Sequence, residues 1–174
     1  MEIRQATIAD AKAIAEVHVR SWQQAYRGLL PNEYLESLSI DQRKAFWVDV
    51  LTKRQSEVML AIYNHTVTGF ISYAASRVKD TELHTAEVLA LYIDPEHWRI
   101  GIGKALWQSC RVKLSVKGYQ NVYLWVIIGN TRASGFYEAQ GFRQEQDIVK
   151  PFELAGVSLL EQRYINNLNQ PVGI

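Results

Sequence analysis

Residues 86–117 constrain the fold more than any other part of the sequence. Positions 86–93 are mostly apolar and predict a buried strand, which ends at Asp94-Pro95 because proline cannot donate to a strand ladder. The apolar positions of the helix that follows recur every four residues, at Ile102, Leu106, Cys110 and Leu114. A strand, a short loop and an amphipathic helix in direct succession predict a fold that mixes both kinds of element.

The hydrophobic period changes along the rest of the chain. Before this segment the pattern predicts a strand at 2–6, helices at 11–22, 31–37 and 41–53, and a hairpin of strands at 57–63 and 67–78. After it, the pattern predicts a strand at 122–127, a helix at 131–140 and strands at 142–149 and 159–165. This order indicates an α+β or mixed α/β fold and not a regular βαβ alternation.

Composition narrows the class of protein. The 174 residues fit one domain, 1–174, and a net charge of +1 gives no reason to expect nucleic acid or a membrane as partner. The single cysteine, Cys110, excludes an intramolecular disulfide, and the four histidines have no metal-ligand spacing, so no metal is expected. With one thiol and no export signal at the N-terminus, we expect a cytoplasmic protein.

Two glycines, Gly101 and Gly103, stand at the start of the predicted helix. They lack a Cβ atom, and the free N–H groups of a first helical turn favour an anion, so a phosphate or pyrophosphate could approach there. The spacing is not that of a Walker loop, because Trp98 and Ala105 occupy required positions. It is not a dinucleotide fingerprint either, because Leu106 replaces the third glycine. Alternatively, Gly101 and Gly103 only cap the helix and bind no phosphate.

A second motif follows about thirty residues later, where residues 130–142 read N-x-x-A-x-x-F-Y-x-x-x-G-F. With the loop at 98–103 and the strand at 121–126, this motif resembles the GNAT superfamily of acyl-CoA-dependent N-acetyltransferases. The opening residues 3–7 are also similar to the N-terminal element of that family. The resemblance implies a GNAT fold, in which helices flank a central, mostly antiparallel sheet of six to seven strands.

The resemblance also implies an activity. A GNAT enzyme moves an acetyl group from acetyl-CoA to a primary amine by direct attack in a ternary complex; the acceptor could be a polyamine, an antibiotic, an amino acid or a protein amine. A degenerate domain that senses acyl-CoA or serves as an interaction module is the alternative. The sequence departs from the family at Trp98, where arginine or glutamine is usual, so Arg99 or Lys104 could supply the cation. Homodimers are common in the family.

Site residues follow from the same resemblance. Tyr137 is expected to be the general acid for the departing thiolate, or else a core aromatic residue, and Glu87 the general base, or else an edge glutamate in a surface ion pair. Strand alternation groups Glu87 with Leu89, Leu91 and Ile93, whereas a bulge in this strand, which the family often carries, would break that alternation. The expected cofactor contacts are Leu91, Tyr92, Ile93, Trp98, Arg99, Ile100, Gly101, Ile102, Gly103, Lys104, Asn130, Ser134 and Tyr137. The expected acceptor contacts are Trp22, Tyr26 and Tyr34, whereas His18 is expected to be an ordinary helix-face residue and Cys110 a core residue.

Overall fold

The structure is a computed structural model that describes residues 1–76 and 84–170. Its elements in chain order are β1 Glu2–Gln5, α1 Ala11–Ala25, α2 Asn32–Glu36, α3 Ile40–Lys53, β2 Glu57–Tyr63, β3 Thr66–Ala75, β4 Thr85–Ile93, α4 Ile102–Val116, β5 Asn121–Ile127, α5 Thr131–Ala139, β6 Arg143–Leu154 and β7 Val157–Asn167. The strands form a seven-stranded sheet in the order β1-β2-β3-β4-β5-β7-β6. This confirms the expected mixed fold with a central sheet of six to seven strands.

Neighbouring strands are antiparallel except for β4 and β5, which run parallel. The parallel pair is short: it joins Thr85 to Asn121, Ala86 to Val122 and Glu87 to Tyr123. Past these pairs β4 continues beside β3, and β5 continues beside β7. A gap therefore opens in the middle of the sheet.

Helices cover both faces of the sheet. On one face, α4 buries the stripe that its four-residue period predicts, and every member is at most 1% exposed: Ile102, Leu106, Cys110 and Leu114. On the other face, α1 and α3 pack over the sheet through a core that includes Ile14, Trp47 and Phe70. The side-chain carboxylate of Asp10 accepts a hydrogen bond from the Thr7 backbone N–H, 2.8 Å away, and so supports the predicted start of α1.

The last two strands are longer than the sequence predicts. The predicted strands at 142–149 and 159–165 omit Pro151, yet β6 continues through this proline because β6 is the edge strand of the sheet. Ala155 and Gly156, which form the turn between the strands, both have positive φ, 53° and 74°. The last two positions of the strand predicted at 67–78 lie outside the described residues.

Candidate active site

A cavity of about 1170 Å³ occupies the gap between β4 and β5. Side chains of α1 and α3 line one end of it, and the first turn of α4 together with α5 lines the other end. The cavity therefore joins the two faces of the sheet at the point where the parallel strands diverge. Two ligands that enter from opposite faces could meet within it.

A β-bulge at Leu89 marks the place where β4 leaves β5. Ser72 of β3 pairs with Ala90, but the next residue, Tyr73, pairs with Val88, so Leu89 is an extra residue in β4. The bulge inverts the alternation of side chains along the second half of the strand.

Glu87 precedes the bulge and lies on the sheet face opposite α4. Its carboxylate is buried, with 5% of the residue exposed, and accepts a hydrogen bond of 2.9 Å from the Tyr123 hydroxyl. Leu91 and Ile93 follow the bulge and pack on the α4 side. Simple alternation, which groups Glu87 with these two residues, therefore does not hold, and the bulge that the family resemblance allows is present. The burial also shows that Glu87 is not a surface glutamate.

Asp94 fixes the path of the chain between β4 and α4. The residue is buried, and its carboxylate accepts a hydrogen bond of 2.7 Å from Arg20 of α1. Its backbone N–H donates to the Thr68 carbonyl, 2.8 Å away, and its second carboxylate oxygen accepts from the Glu96 N–H at 3.2 Å. These contacts connect the loop before α4 to both α1 and β3.

The two glycines at the start of α4 have different roles. Gly101 has φ of +90°, a left-handed conformation that favours glycine, and an added Cβ would meet nothing within 4 Å. Gly103 lies against the Phe136 ring, which an added Cβ would meet at 3.2 Å, so close packing explains this glycine. The first intrahelical bond runs from the Ala105 N–H to the Gly101 carbonyl at 3.0 Å. The backbone N–H groups of the residues before Ala105 point out of the helix end, in the orientation that binding of an anion requires.

Trp98, the departure from the family pattern, connects this loop to α5. Its indole N–H donates to the Ile93 carbonyl at 2.9 Å, and the Arg132 guanidinium lies 3.8 Å from the centre of its ring. The structure thereby places the cation of Arg132, a residue of α5, next to the loop before α4. Arg132 was not predicted, although it lies two positions after Asn130 inside the matched motif.

Tyr137 extends from α5 into the cavity. The helix begins at Asn130, whose side chain accepts a hydrogen bond from the Ala133 N–H at 3.2 Å, so Asn130 is the N-cap. The Tyr137 ring packs edge-on against Phe142, with centroids 5.5 Å apart. Burial, and then the nearby Tyr92, raise the pKa of Tyr137, so that its hydroxyl keeps its proton at neutral pH.

Aromatic side chains line the α1 end of the cavity. Trp22 and Tyr26 meet edge to face with centroids 5.0 Å apart, and the His18 imidazole stacks on Tyr92 at 5.1 Å. His18 also accepts a hydrogen bond of 3.1 Å from the Trp47 indole through Nδ1. Sequence reasoning missed His18 as a site residue, although its position one helical turn before Trp22 places both on the same face of α1.

Most of the predicted site residues meet at this cavity. Those that line it are Trp22, Tyr26, Glu87, Leu91, Tyr92, Ile93, Trp98, Arg99, Gly101, Ile102, Gly103, Lys104, Asn130 and Tyr137. Those that do not line it are Tyr34, Ile100 and Ser134. Tyr34 lies on α2, Ile100 is 53% exposed, and the Ser134 hydroxyl donates to the Thr131 carbonyl within α5. Lining residues that were not predicted include His18, Trp47, Trp125, Arg132, Lys150 and Glu161.

Comparison with known proteins decides the family. The sequence model of the acetyltransferase (GNAT) family matches residues 15–142. The chain belongs to the GNAT family of acetyltransferases. An uncharacterised N-acetyltransferase of Bacillus subtilis is 31% identical over 164 residues, which cover 91% of this chain and 88% of that protein. The spermidine N(1)-acetyltransferase of Thermoplasma acidophilum is 30% identical over 169 residues, 94% of this chain and 98% of the relative.

The fold of a solved GNAT enzyme agrees with this assignment. The crystal structure of PaiA N-acetyltransferase from Thermoplasma acidophilum, in complex with coenzyme A, superposes with a TM-score of 0.75 at 26% identity. The match covers 95% of this chain and 98% of that one. As a GNAT acetyltransferase, the chain takes its acetyl group from acetyl-CoA.

Two further properties bear on the chemistry. Within residues 1–76 and 84–170, no three histidine, cysteine, aspartate or glutamate side chains are grouped so that they could hold a metal ion. Across the same residues, the helices are too short or too polar to cross a membrane.

We predict that Gly101→Ala weakens coenzyme A binding about fivefold, measured by calorimetry. A residue with a Cβ atom costs about 1 kcal/mol in the left-handed conformation that Gly101 adopts, so the variant loop will resist the geometry that aims its N–H groups at an anion. Gly135→Ala is the matched control, because an added Cβ also meets nothing there but the backbone is helical. Equal affinities for both variants would show that this loop does not bind the pyrophosphate.

Proposed function

We propose that this chain acetylates the primary amine of a small molecule by direct attack of the amine on the thioester in a ternary complex. The observation that carries the proposal is the single cavity that crosses the sheet between β4 and β5. Acetyl-CoA would occupy the α4 side and the amine would enter from the α1 side. The two substrates would then react at the gap without a covalent enzyme intermediate.

The α4 side has the features that a long, anionic thioester needs. The first turn of α4 and the nearby Arg132 would hold the pyrophosphate, and Arg99 or Lys104 could add a second cation. The edge of β4 that faces the gap has no strand beside it past Glu87 in the described part of the chain, so its backbone could pair with the pantetheine amides. A backbone N–H near Leu91 to Ile93 would stabilise the carbonyl oxygen.

Two side chains would handle the protons. Glu87, directly or through water, would accept a proton from the amine as its nitrogen bonds to the carbonyl carbon. Tyr137 would donate its proton to the sulfur as the C–S bond breaks. Starting from an ammonium group, the products are an amide, a CoA thiol and one proton released to solvent. Both side chains line the same cavity, which supports this division of roles.

One relative and the shape of the cavity support a small-molecule acceptor. The archaeal relative with 30% identity is a spermidine acetyltransferase, and the chain covers 98% of it. The acceptor end of the cavity is enclosed by aromatic side chains, which suits a compact ligand better than a protein surface. We place the reaction in the cytoplasm, where acetyl-CoA is made and the single thiol stays reduced.

Tyr137→Phe is predicted to lower kcat at least tenfold while the affinity for acetyl-CoA stays within twofold. The substitution keeps the ring that packs against Phe142 and removes only the hydroxyl. The assay is acetyl-CoA-dependent thiol release with a panel of amines, with Tyr119→Phe as a control tyrosine outside the cavity. An unchanged kcat would remove Tyr137 from the mechanism.

For Glu87→Gln we expect a change in the pH dependence of kcat/KM. A base must be deprotonated to act, so the wild-type rate should rise with pH on the acid side, and the variant should be slower and lack that limb. Glutamine can still accept the hydrogen bond from Tyr123, so the local structure should persist. If the variant keeps the wild-type profile, Glu87 is not the base and water takes the proton.

A further inference from the structure

The acceptor end of the cavity contains a buried ring nitrogen that has no hydrogen-bond partner among the described residues. His18 is 6% exposed and lines the cavity, and its Nε2 atom makes no hydrogen bond within the described part of the chain. A buried polar atom without a partner costs free energy, so an ordered water or a ligand usually completes it.

The partner of the other ring nitrogen fixes which one carries the proton. The Trp47 indole N–H can only donate, and it donates to His18 Nδ1 at 3.1 Å, so Nδ1 is the unprotonated nitrogen. Burial, and then the positive charge of Arg43, lower the pKa of His18 to about 3, so the ring is neutral at pH 7. A neutral ring with an unprotonated Nδ1 carries its proton on Nε2. His18 therefore carries an unpaired N–H donor in a side chain that forms part of the cavity wall.

A cation lies over one of the aromatic rings that surround His18. The Arg43 guanidinium sits 5.3 Å from the centre of the Trp22 ring and has no ion pair with any described residue. The carboxylate of Glu161, which also lines the cavity, is already paired with Lys150 at 3.2 Å.

Among the described residues, the unpaired buried polar atoms that line this part of the cavity are thus two donors, His18 Nε2 and Trp22 Nε1. Arg43, which does not itself line the cavity, adds a positive charge nearby, and the buried Glu87 carboxylate, which accepts from Tyr123, adds a negative one.

We propose that His18 binds a carboxylate oxygen of the acceptor, which is an amino acid with an apolar side chain. The inference rests on the proposed acetyl transfer and names its acceptor class. An oxygen atom satisfies the buried N–H, a negative charge suits Arg43, and the aromatic walls suit an apolar side chain. An aliphatic polyamine has no oxygen and would bring a second positive charge towards Arg43.

Trp47 acts in this account as a positioning residue. It does not donate to the acceptor, but its hydrogen bond holds the proton of His18 on Nε2. Without the indole N–H, the imidazole can move its proton to Nδ1 and offer an acceptor to the cavity instead of a donor.

The first arm of the test compares acceptors with the wild-type enzyme. Leucine, leucinamide and 3-methylbutylamine share one carbon skeleton but carry a carboxylate, a neutral carbonyl and no oxygen. Spermidine represents polyamines. With kcat/KM corrected for the neutral fraction of each amine, we expect leucine to exceed 3-methylbutylamine at least tenfold, with leucinamide between them. A preference for 3-methylbutylamine or spermidine would overturn the proposal.

The second arm changes the site. His18→Phe should raise the KM for leucine at least tenfold, leave the KM for acetyl-CoA within twofold and abolish the preference over 3-methylbutylamine. His18→Gln, which keeps an N–H donor, should retain part of that preference. Trp47→Phe should raise the KM for leucine without lowering kcat, whereas Trp107→Phe, which alters a buried indole outside the cavity, should not. Nitrogen NMR of the His18 ring should show the proton on Nε2 in the wild type and a mixture in Trp47→Phe.

The outcomes separate this inference from the proposed function. If none of the amines in the panel causes thiol release, the acetylation proposal itself is refuted. Thiol release with spermidine or the alkylamine but not with leucine would leave acetyl transfer intact and refute the role of His18. A proton on Nδ1 of His18 in the wild-type protein would refute the donor assignment without reference to any substrate. Because this measurement uses only the wild-type protein, it remains valid even if a variant folds poorly.

Discussion

The site depends on the short pairing between the two parallel strands. β4 and β5 share only the pairs from Thr85–Asn121 to Glu87–Tyr123, and the bulge at Leu89 turns β4 away immediately afterwards. Continued pairing would close the sheet and fill the space that the cavity occupies. The antiparallel neighbours β3 and β7 hold the diverging strands, so the gap is formed by the sheet itself and not by a flexible loop.

Each end of the gap takes its chemistry from the helix that covers it. The α4 end offers backbone N–H groups, which in our proposal would bind the highly anionic donor although the net charge of the chain is only +1. The α1 end offers aromatic rings and the His18–Trp47 pair. The ion pair of Arg20 with Asp94 links α1 to the loop before α4, so one interaction connects the elements at the two ends of the gap.

Regular periodicity made much of this fold predictable. The stripe of α4 and the order of the elements follow from local spacing, and Tyr137, which the motif at residues 130–142 indicated as a site residue, lines the cavity. The resemblance allowed a bulge in β4, but its position at Leu89 was not predictable, because one extra residue is defined only by what β3 pairs with. The His18–Trp47 contact joins residues 29 positions apart on two helices, so no local pattern identifies it.

The central claim is that the amine attacks the thioester directly while both substrates are bound. Cys110, the only thiol, is fully buried on the sheet-facing side of α4 and cannot carry an acetyl group between two half-reactions. Initial-velocity kinetics test the claim most directly, with acetyl-CoA varied at several fixed amine concentrations. The account predicts double-reciprocal lines that intersect, as a ternary complex requires. Parallel lines, together with an acetylated protein after incubation with acetyl-CoA alone, would contradict it.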